Sequence, residues 1–106
     1  MERIEYVPLG SVVLIKDVNQ KLMIIARAIN VKNGDKNVYF DYGAVLYPDG
    51  LTGDRMAYFN HDAISKVVFE GCNDAENQNV VDTINRFKAD NPNLVMGDPK
   101  NWEAAE

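Results

Sequence analysis

The chain contains a single histidine, His61, and Asp62 follows it directly. Histidine titrates near neutral pH and works as a general base when a carboxylate orients its ring. Adjacent residues of a helix do not face each other, so the pair favours the first turn of a helix, where Asp62 suits the positive end of the dipole. A small hydrolase that uses His61 with an acid is an alternative, and it predicts a concave pocket that contains His61.

Cys72 is the only cysteine, and it stands just before a predicted helix. A helix N-terminus can lower the pKa of a thiol, but an ordinary small apolar role is the simpler interpretation. One histidine and one cysteine are too few ligands for a structural zinc site. Four aspartates lack the spacing of a calcium-binding loop: Asp35, Asp41, Asp49 and Asp54. Apart from the His61 alternative, the sequence predicts no metal, no cofactor and no catalytic residue.

Two groups of side chains are candidates for holding a protein partner. Four tyrosines offer large rigid rings with a polar tip: Tyr39, Tyr42, Tyr47 and Tyr58. Four acids make up the second group: Glu70, Asp74, Glu76 and Asp82. We expect the strand at residues 39–47 to have an exposed edge that holds the partner, also by backbone pairing, and the acids to form a rim that speeds association. Alternatively, some tyrosines belong to the core and the acids form a solvated helix face.

Apolar and β-branched runs separated by turn residues predict short strands. They cover residues 12–15, 21–27, 37–47, 55–59 and 67–69. The first two runs are apolar throughout, which is typical of strands inside a sheet. Gly43 interrupts the third run and predicts a bulge or a bend. Asn33-Gly34 and Pro48-Asp49-Gly50 predict tight turns, with Gly50 at a positive φ.

Helical signals follow in the second half of the chain. Asn60 is predicted to cap a single helical turn over residues 61–66. A longer helix is predicted to begin after Asn73 or Asp74 and to run to about residue 89. Its apolar face is expected to contain Val80, Ile84 and Phe87, which follow the spacing of one helical face.

These elements predict an α+β fold. We expect a small curved antiparallel sheet, or a partly closed barrel, of roughly four to six short strands followed by one C-terminal amphipathic helix. Residues 1–90 are predicted to form a single domain. Residues 91–106 are predicted to form an irregular C-terminal tail with Trp102 as a possible anchor.

Composition and charge narrow the function classes. The chain has 106 residues and a net charge of −5, which suits one globular domain but not a nucleic-acid or anionic-membrane surface. No apolar run approaches the roughly 20 residues of a membrane span, and the N-terminus lacks the pattern of a signal peptide. A lone cysteine gives no sign of an oxidising compartment, so a cytoplasmic location is expected.

Five segments together resemble a family of small proteins of Gram-positive bacteria whose genes lie beside LXG-type toxins in type VII secretion loci. They are residues 6–13, 21–27, 40–50, 59–64 and 67–71. The resemblance covers about residues 6–90. Two positions depart from it: Ala26 stands where a glycine is expected, and Cys72 stands where an aromatic residue is expected.

The resemblance implies an accessory role for the chain. It implies a non-enzymatic cytoplasmic protein that binds a cognate secreted toxin and keeps it competent for export, as a chaperone or a targeting adaptor. An immunity protein that inhibits the toxin is the alternative within the class of binding proteins. The resemblance implies no catalytic residue.

Overall fold

The structure, a computed structural model, describes residues 3–97 of the chain. The elements are β1 (Val12–Ile15), β2 (Leu22–Asn33), β3 (Lys36–Leu46), β4 (Ala57–Phe59), a 3-10 turn (His61–Ala63), β5 (Ile64–Phe69) and α1 (Ala75–Asp90). Trp102 and the rest of the predicted tail beyond residue 97 lie outside the described residues. No helix within residues 3–97 is long and apolar enough to cross a membrane.

The five strands form one antiparallel sheet in the order β4-β3-β2-β1-β5. The apolar strands β1 and β2 lie inside it, as predicted. Over the described residues the sheet is open, because its end strands β4 and β5 pair with β3 and β1 and not with each other. The predicted α+β fold, an antiparallel sheet followed by one helix, is confirmed in its open-sheet form rather than as a barrel.

The hairpin of β2 and β3 contains the irregularity that Gly43 predicts, but on the opposite strand. The register shifts between Ile24 and Ala26 of β2, and Gly43 pairs with Ala26. A Cβ atom on Gly43 would lie 2.8 Å from the terminal carbon of Met56. The missing side chain therefore leaves room for Met56, while the extra residue of the bulge belongs to β2.

Helix α1 packs on one face of the sheet and closes the main core. Val81 and Ile84 are the buried apolar residues of α1, and they join a cluster with Val13, Ile24 and Phe59. The predicted apolar face was wrong in part, because Val80 and Phe87 are exposed. The buried face instead contains Asn77, one turn before Val81. The side-chain oxygen of Asn77 accepts a hydrogen bond from Arg27 at 2.8 Å. Because a polar residue stands on the buried face, the spacing of apolar residues alone predicts the wrong side of the helix as buried.

Asn60 does not cap the turn that follows it, which corrects the prediction. Its side-chain oxygen accepts the N–H of Asp41 at 3.0 Å, and its amide donates to the carbonyl of Gly97 at 3.1 Å. The turn ends at Ala63, and Ile64 already belongs to β5, which is twice as long as predicted. Asn60 therefore joins β3 to the C-terminal segment rather than starting a helix.

The described part of the predicted tail lies along β3. Tyr39 donates its N–H to the carbonyl of Val95 and accepts the N–H of Gly97, both at 2.8 Å. A Cβ atom on Gly97 would lie 2.2 Å from the ring of Phe40, so the chain passes directly over that ring. Residues 95–97 thereby cover the stretch of β3 that the short strand β4 leaves unpaired.

Candidate functional site

A buried carboxylate, Asp41, organises a polar network between the sheet and α1. The residue is 3% exposed, and its carboxylate accepts hydrogen bonds from Nζ of Lys88 at 3.1 Å and from the backbone N–H of His61 at 2.9 Å. The hydroxyl of Tyr6 donates to it at 3.5 Å. A buried charge is tolerated when it is paired and hydrogen-bonded, and Lys88 and these donors satisfy Asp41.

The ring of His61 is bonded to Tyr42 rather than to a carboxylate. Nδ1 of His61 lies 2.7 Å from the hydroxyl of Tyr42, and that oxygen also accepts the N–H of Val7 at 2.9 Å. The Tyr42 proton is thus free to bond Nδ1, which favours a neutral ring. Burial lowers the pKa of His61, although the nearby Asp41 opposes this.

Tyr39 and Tyr42 are buried, so the prediction that they line an exposed strand edge is wrong. They are 1% and 0% exposed, because Tyr39 packs on Phe87 of α1 and Tyr42 belongs to the main core cluster. The edge of β3 is also covered, by β4 and residues 95–97. Burial raises the pKa of both phenols. The hydroxyl of Tyr39 has no hydrogen-bond partner within the described residues, and Nζ of Lys88 lies 5.6 Å from the centre of its ring.

The other two candidate tyrosines lie nearer the surface. Tyr47 is 41% exposed, with Nζ of Lys21 at 6.0 Å from its ring centre. Tyr58 is half-buried and stacks at 5.5 Å on Phe40. Because Tyr39 and Tyr42 are buried while Tyr47 is exposed, the structure does not bring the four tyrosines together in one surface.

A cavity of about 290 Å³ lies beside the polar network. The N-terminal segment contributes Glu5 and Tyr6, the 3-10 turn contributes His61, and β5 contributes Val67. Glu70, after β5, and residues at the start of α1 complete it. We call this the acidic cavity, because Glu5 and Glu70 line it and no lysine or arginine of the described residues does.

The four candidate acids differ in their surroundings. Glu70 lines the acidic cavity and Glu76 is exposed in the first turn of α1. Asp74 caps the helix by accepting the N–H of Asn77 at 2.9 Å, and that hydrogen bond lowers its pKa. Asp82 forms an ion pair with Arg3. Asp74 and Asp82 therefore have structural roles, whereas the carboxylates of Glu70 and Glu76 have no such hydrogen bond or ion pair within residues 3–97.

Arg3 connects the acidic cavity to the helix. Its guanidinium bonds Glu5 at 2.5 Å, the side-chain oxygen of Gln78 at 3.1 Å, and Asp82. Glu5 and Gln78 both line the cavity. The rim of the acidic cavity thus already holds one guanidinium group, supplied by the chain itself.

Cys72 is exposed, and its surroundings do not activate the thiol. The carboxylate of Asp74 raises the pKa of Cys72, which is the opposite of what activates a thiol. No group of three metal-ligating side chains lies close together within residues 3–97.

The outer edge of β5 is exposed but irregular. Val67, Val68 and Phe69 are all more than two-fifths exposed, and β1 is the only described neighbour of β5. The register with β1 shifts twice along this strand, and Lys66 stands at its middle. Bulges and lysines are devices that prevent an edge from pairing with another strand.

The central residues of the network, Asp41 and Lys88, and also Tyr6, are not indicated as site residues by the sequence pattern. Asp41 is a candidate there only as a calcium ligand, although it interrupts the apolar run Phe40-Asp41-Tyr42. A charged residue inside a buried strand is a signal that a partner must lie nearby. The identity of that partner depends on how α1 packs, and spacing along the chain does not reveal it.

Comparison with known proteins agrees with the extent of the sheet and the start of the helix. No curated protein and no solved structure matches the chain. A family model described as a domain of unknown function, DUF4176, matches residues 6–80. These residues include β1 to β5 and the first part of α1, with most of the acidic cavity. The chain belongs to the DUF4176 family.

Proposed function

We propose that the chain is a non-enzymatic binding protein, a cytoplasmic chaperone or targeting adaptor for an LXG toxin secreted by a type VII system. The toxin and the secretion system come from the family resemblance of the sequence. The observation that carries the binding role is the acidic cavity, which Glu5 and Glu70 line together with Tyr6 and His61, two residues bonded to the buried Asp41.

The cavity suits a protein partner with basic side chains. Its volume of about 290 Å³ accommodates a side chain rather than a large cofactor. Pockets that receive one anchoring side chain are the usual centres of binding energy in protein interfaces. Glu70 lines the cavity, and the exposed Glu76 lies between the lining residues Asn73 and Gln78 along the chain. Their negative charge speeds association with a basic partner.

Strand addition is the less favoured mode of binding. The edge expected at residues 39–47 is covered, and the free edge of β5 has two register shifts and Lys66. A regular added strand needs an even row of backbone groups, which such an edge does not present.

Co-expression with the LXG toxin encoded beside the chain's gene tests the proposal. The full chain should co-purify with the toxin and raise its soluble yield or its export. A chaperone leaves cells sensitive to the toxin domain, whereas an immunity protein rescues them. Failure of the two proteins to associate in both pull-down directions would overturn the binding role.

A small hydrolase is the second candidate, because His61 does line the acidic cavity. Its ring nitrogen Nδ1 bonds Tyr42, and no serine, threonine or cysteine lines the cavity among the described residues. A hydrolase would therefore have to activate water directly through Nε2. Turnover of a panel of esters and amides that is lost in His61→Ala would favour this candidate over the binding protein.

A further inference from the structure

We propose that the acidic cavity receives one arginine side chain of the partner, with Glu70 as its counter-charge. This inference rests on the proposed function, since it names the group of the partner that the cavity recognises. It adds to the proposed function that the recognised group is a guanidinium, and this can be tested without the toxin.

The first support is the difference between the two carboxylates of the cavity. Glu5 already bonds Arg3 at 2.5 Å. Glu70 is exposed, lines the same cavity, and has no hydrogen-bond or ion-pair partner for its carboxylate among residues 3–97. A carboxylate on a cavity wall that has no cation of its own gains most from a cation brought by a ligand.

The second support is the way the chain binds its own guanidinium. Arg3 uses separate nitrogen atoms to reach Glu5, Gln78 and Asp82. The planar guanidinium reaches the N-terminal segment and α1 through three different nitrogen atoms, which is the property that distinguishes it from the single charged nitrogen of lysine. Two residues of the cavity lining, Glu5 and Gln78, therefore already accept guanidinium donors.

The third support is the apolar wall behind the charges. Tyr6, Pro8, Ile64 and Val67 line the cavity beside Glu70. An arginine buries its carbon stem against apolar surface while its head stays with the carboxylate. Guanidinium is also more weakly hydrated than ammonium, so entering a half-enclosed site costs arginine less.

Titration of the full chain with N-acetyl-arginine amide tests the inference. The ring resonances of His61, the only histidine, report on the cavity by NMR. We expect a saturable shift with this probe and none with N-acetyl-citrulline amide, which has the same shape without the charge. Glu70→Gln should weaken the probe about tenfold, as expected for the loss of a charged hydrogen bond. The control variant Asp49→Asn, at an exposed turn outside the cavity lining, should change it by less than about twofold.

Equal responses to the arginine and citrulline probes would overturn the inference, and so would equal effects of the two variants. A failure of the arginine inference can be distinguished from a failure of the proposed function. A toxin that binds Glu70→Gln as well as it binds the wild type refutes the arginine inference and leaves the binding role intact. A chain that binds the arginine probe but no toxin supports the inference and refutes the toxin as its partner.

Discussion

The hydroxyl of Tyr42 lies 2.7 Å from Nδ1 of His61, and this contact joins the middle of the sheet to a wall of the acidic cavity. The same oxygen accepts the N–H of Val7, so Tyr42 holds two separate parts of that wall in place. Because Tyr42 is fully buried, the cavity wall is fixed by the core rather than by surface loops.

The lowered pKa of His61 predicts a specific dependence of stability on pH. In the unfolded chain the pKa of His61 is about 6.5, and burial lowers this pKa in the folded protein. Below pH 6.5 the unfolded state therefore binds more protons, so the contribution of neutral His61 to stability is lost as the pH falls through the folded pKa. Urea unfolding between about pH 7.5 and pH 5 should show a steeper loss of stability for the wild type than for His61→Gln. Parallel curves for the two proteins would contradict a buried neutral ring.

The buried ion pair predicts an asymmetric pattern of mutational effects. Lys88→Met should destabilise the fold by about 3 kcal/mol, because it leaves the carboxylate of Asp41 buried without its counter-charge. Combining it with Asp41→Asn should recover part of that loss, since the charge is then removed from both partners. Denaturant unfolding of the two single variants and the double variant measures the coupling. Additive effects would mean that Lys88 does not neutralise Asp41.

The turn at Gly50 predicts a purely conformational effect. Gly50 has a φ of 81°, and a Cβ atom there would meet nothing within 4 Å. Gly50→Val should therefore destabilise by roughly 1–3 kcal/mol through backbone strain alone. Gly50→Asn serves as the control and should lose clearly less, because asparagine tolerates this conformation. Similar melting temperatures for the valine variant and the wild type would show that the turn adopts another geometry.

The strands could be predicted because each depends on a local pattern. The apolar run of residues 12–15 predicts a strand, and Asn33-Gly34 predicts a turn, each from only a few residues. Asp74 predicts the start of the helix, because its side chain can cap the first turn. Glu70 could likewise be predicted as a partner-binding candidate from its charge alone.

The rest depends on contacts between segments far apart in the chain. Tyr39 and Tyr42 have the composition of an interface strand, but residues 95–97 and α1 cover them. The partners of Asp41 come from positions 6, 61 and 88, and no spacing in the sequence connects them. The buried face of α1 was misjudged because Asn77, a polar residue, occupies it.

The central claim is that the face of the acidic cavity binds a basic toxin, and association kinetics test it most directly. Neutralising all four candidate acids would also remove the helix cap of Asp74 and the ion pair of Asp82, so the informative variant is Glu70→Gln with Glu76→Gln. Asp35→Asn with Asp49→Asn makes the same change of charge at exposed turns elsewhere and serves as the control.

The measurement is the rate of association with the proposed partner, an LXG toxin, at low and at high salt. We expect the cavity variant to associate about tenfold more slowly than the wild type at low salt, with the difference shrinking as salt screens the charges. The control variant should associate like the wild type. Equal slowing in both variants, or in neither, would contradict binding through the acidic cavity.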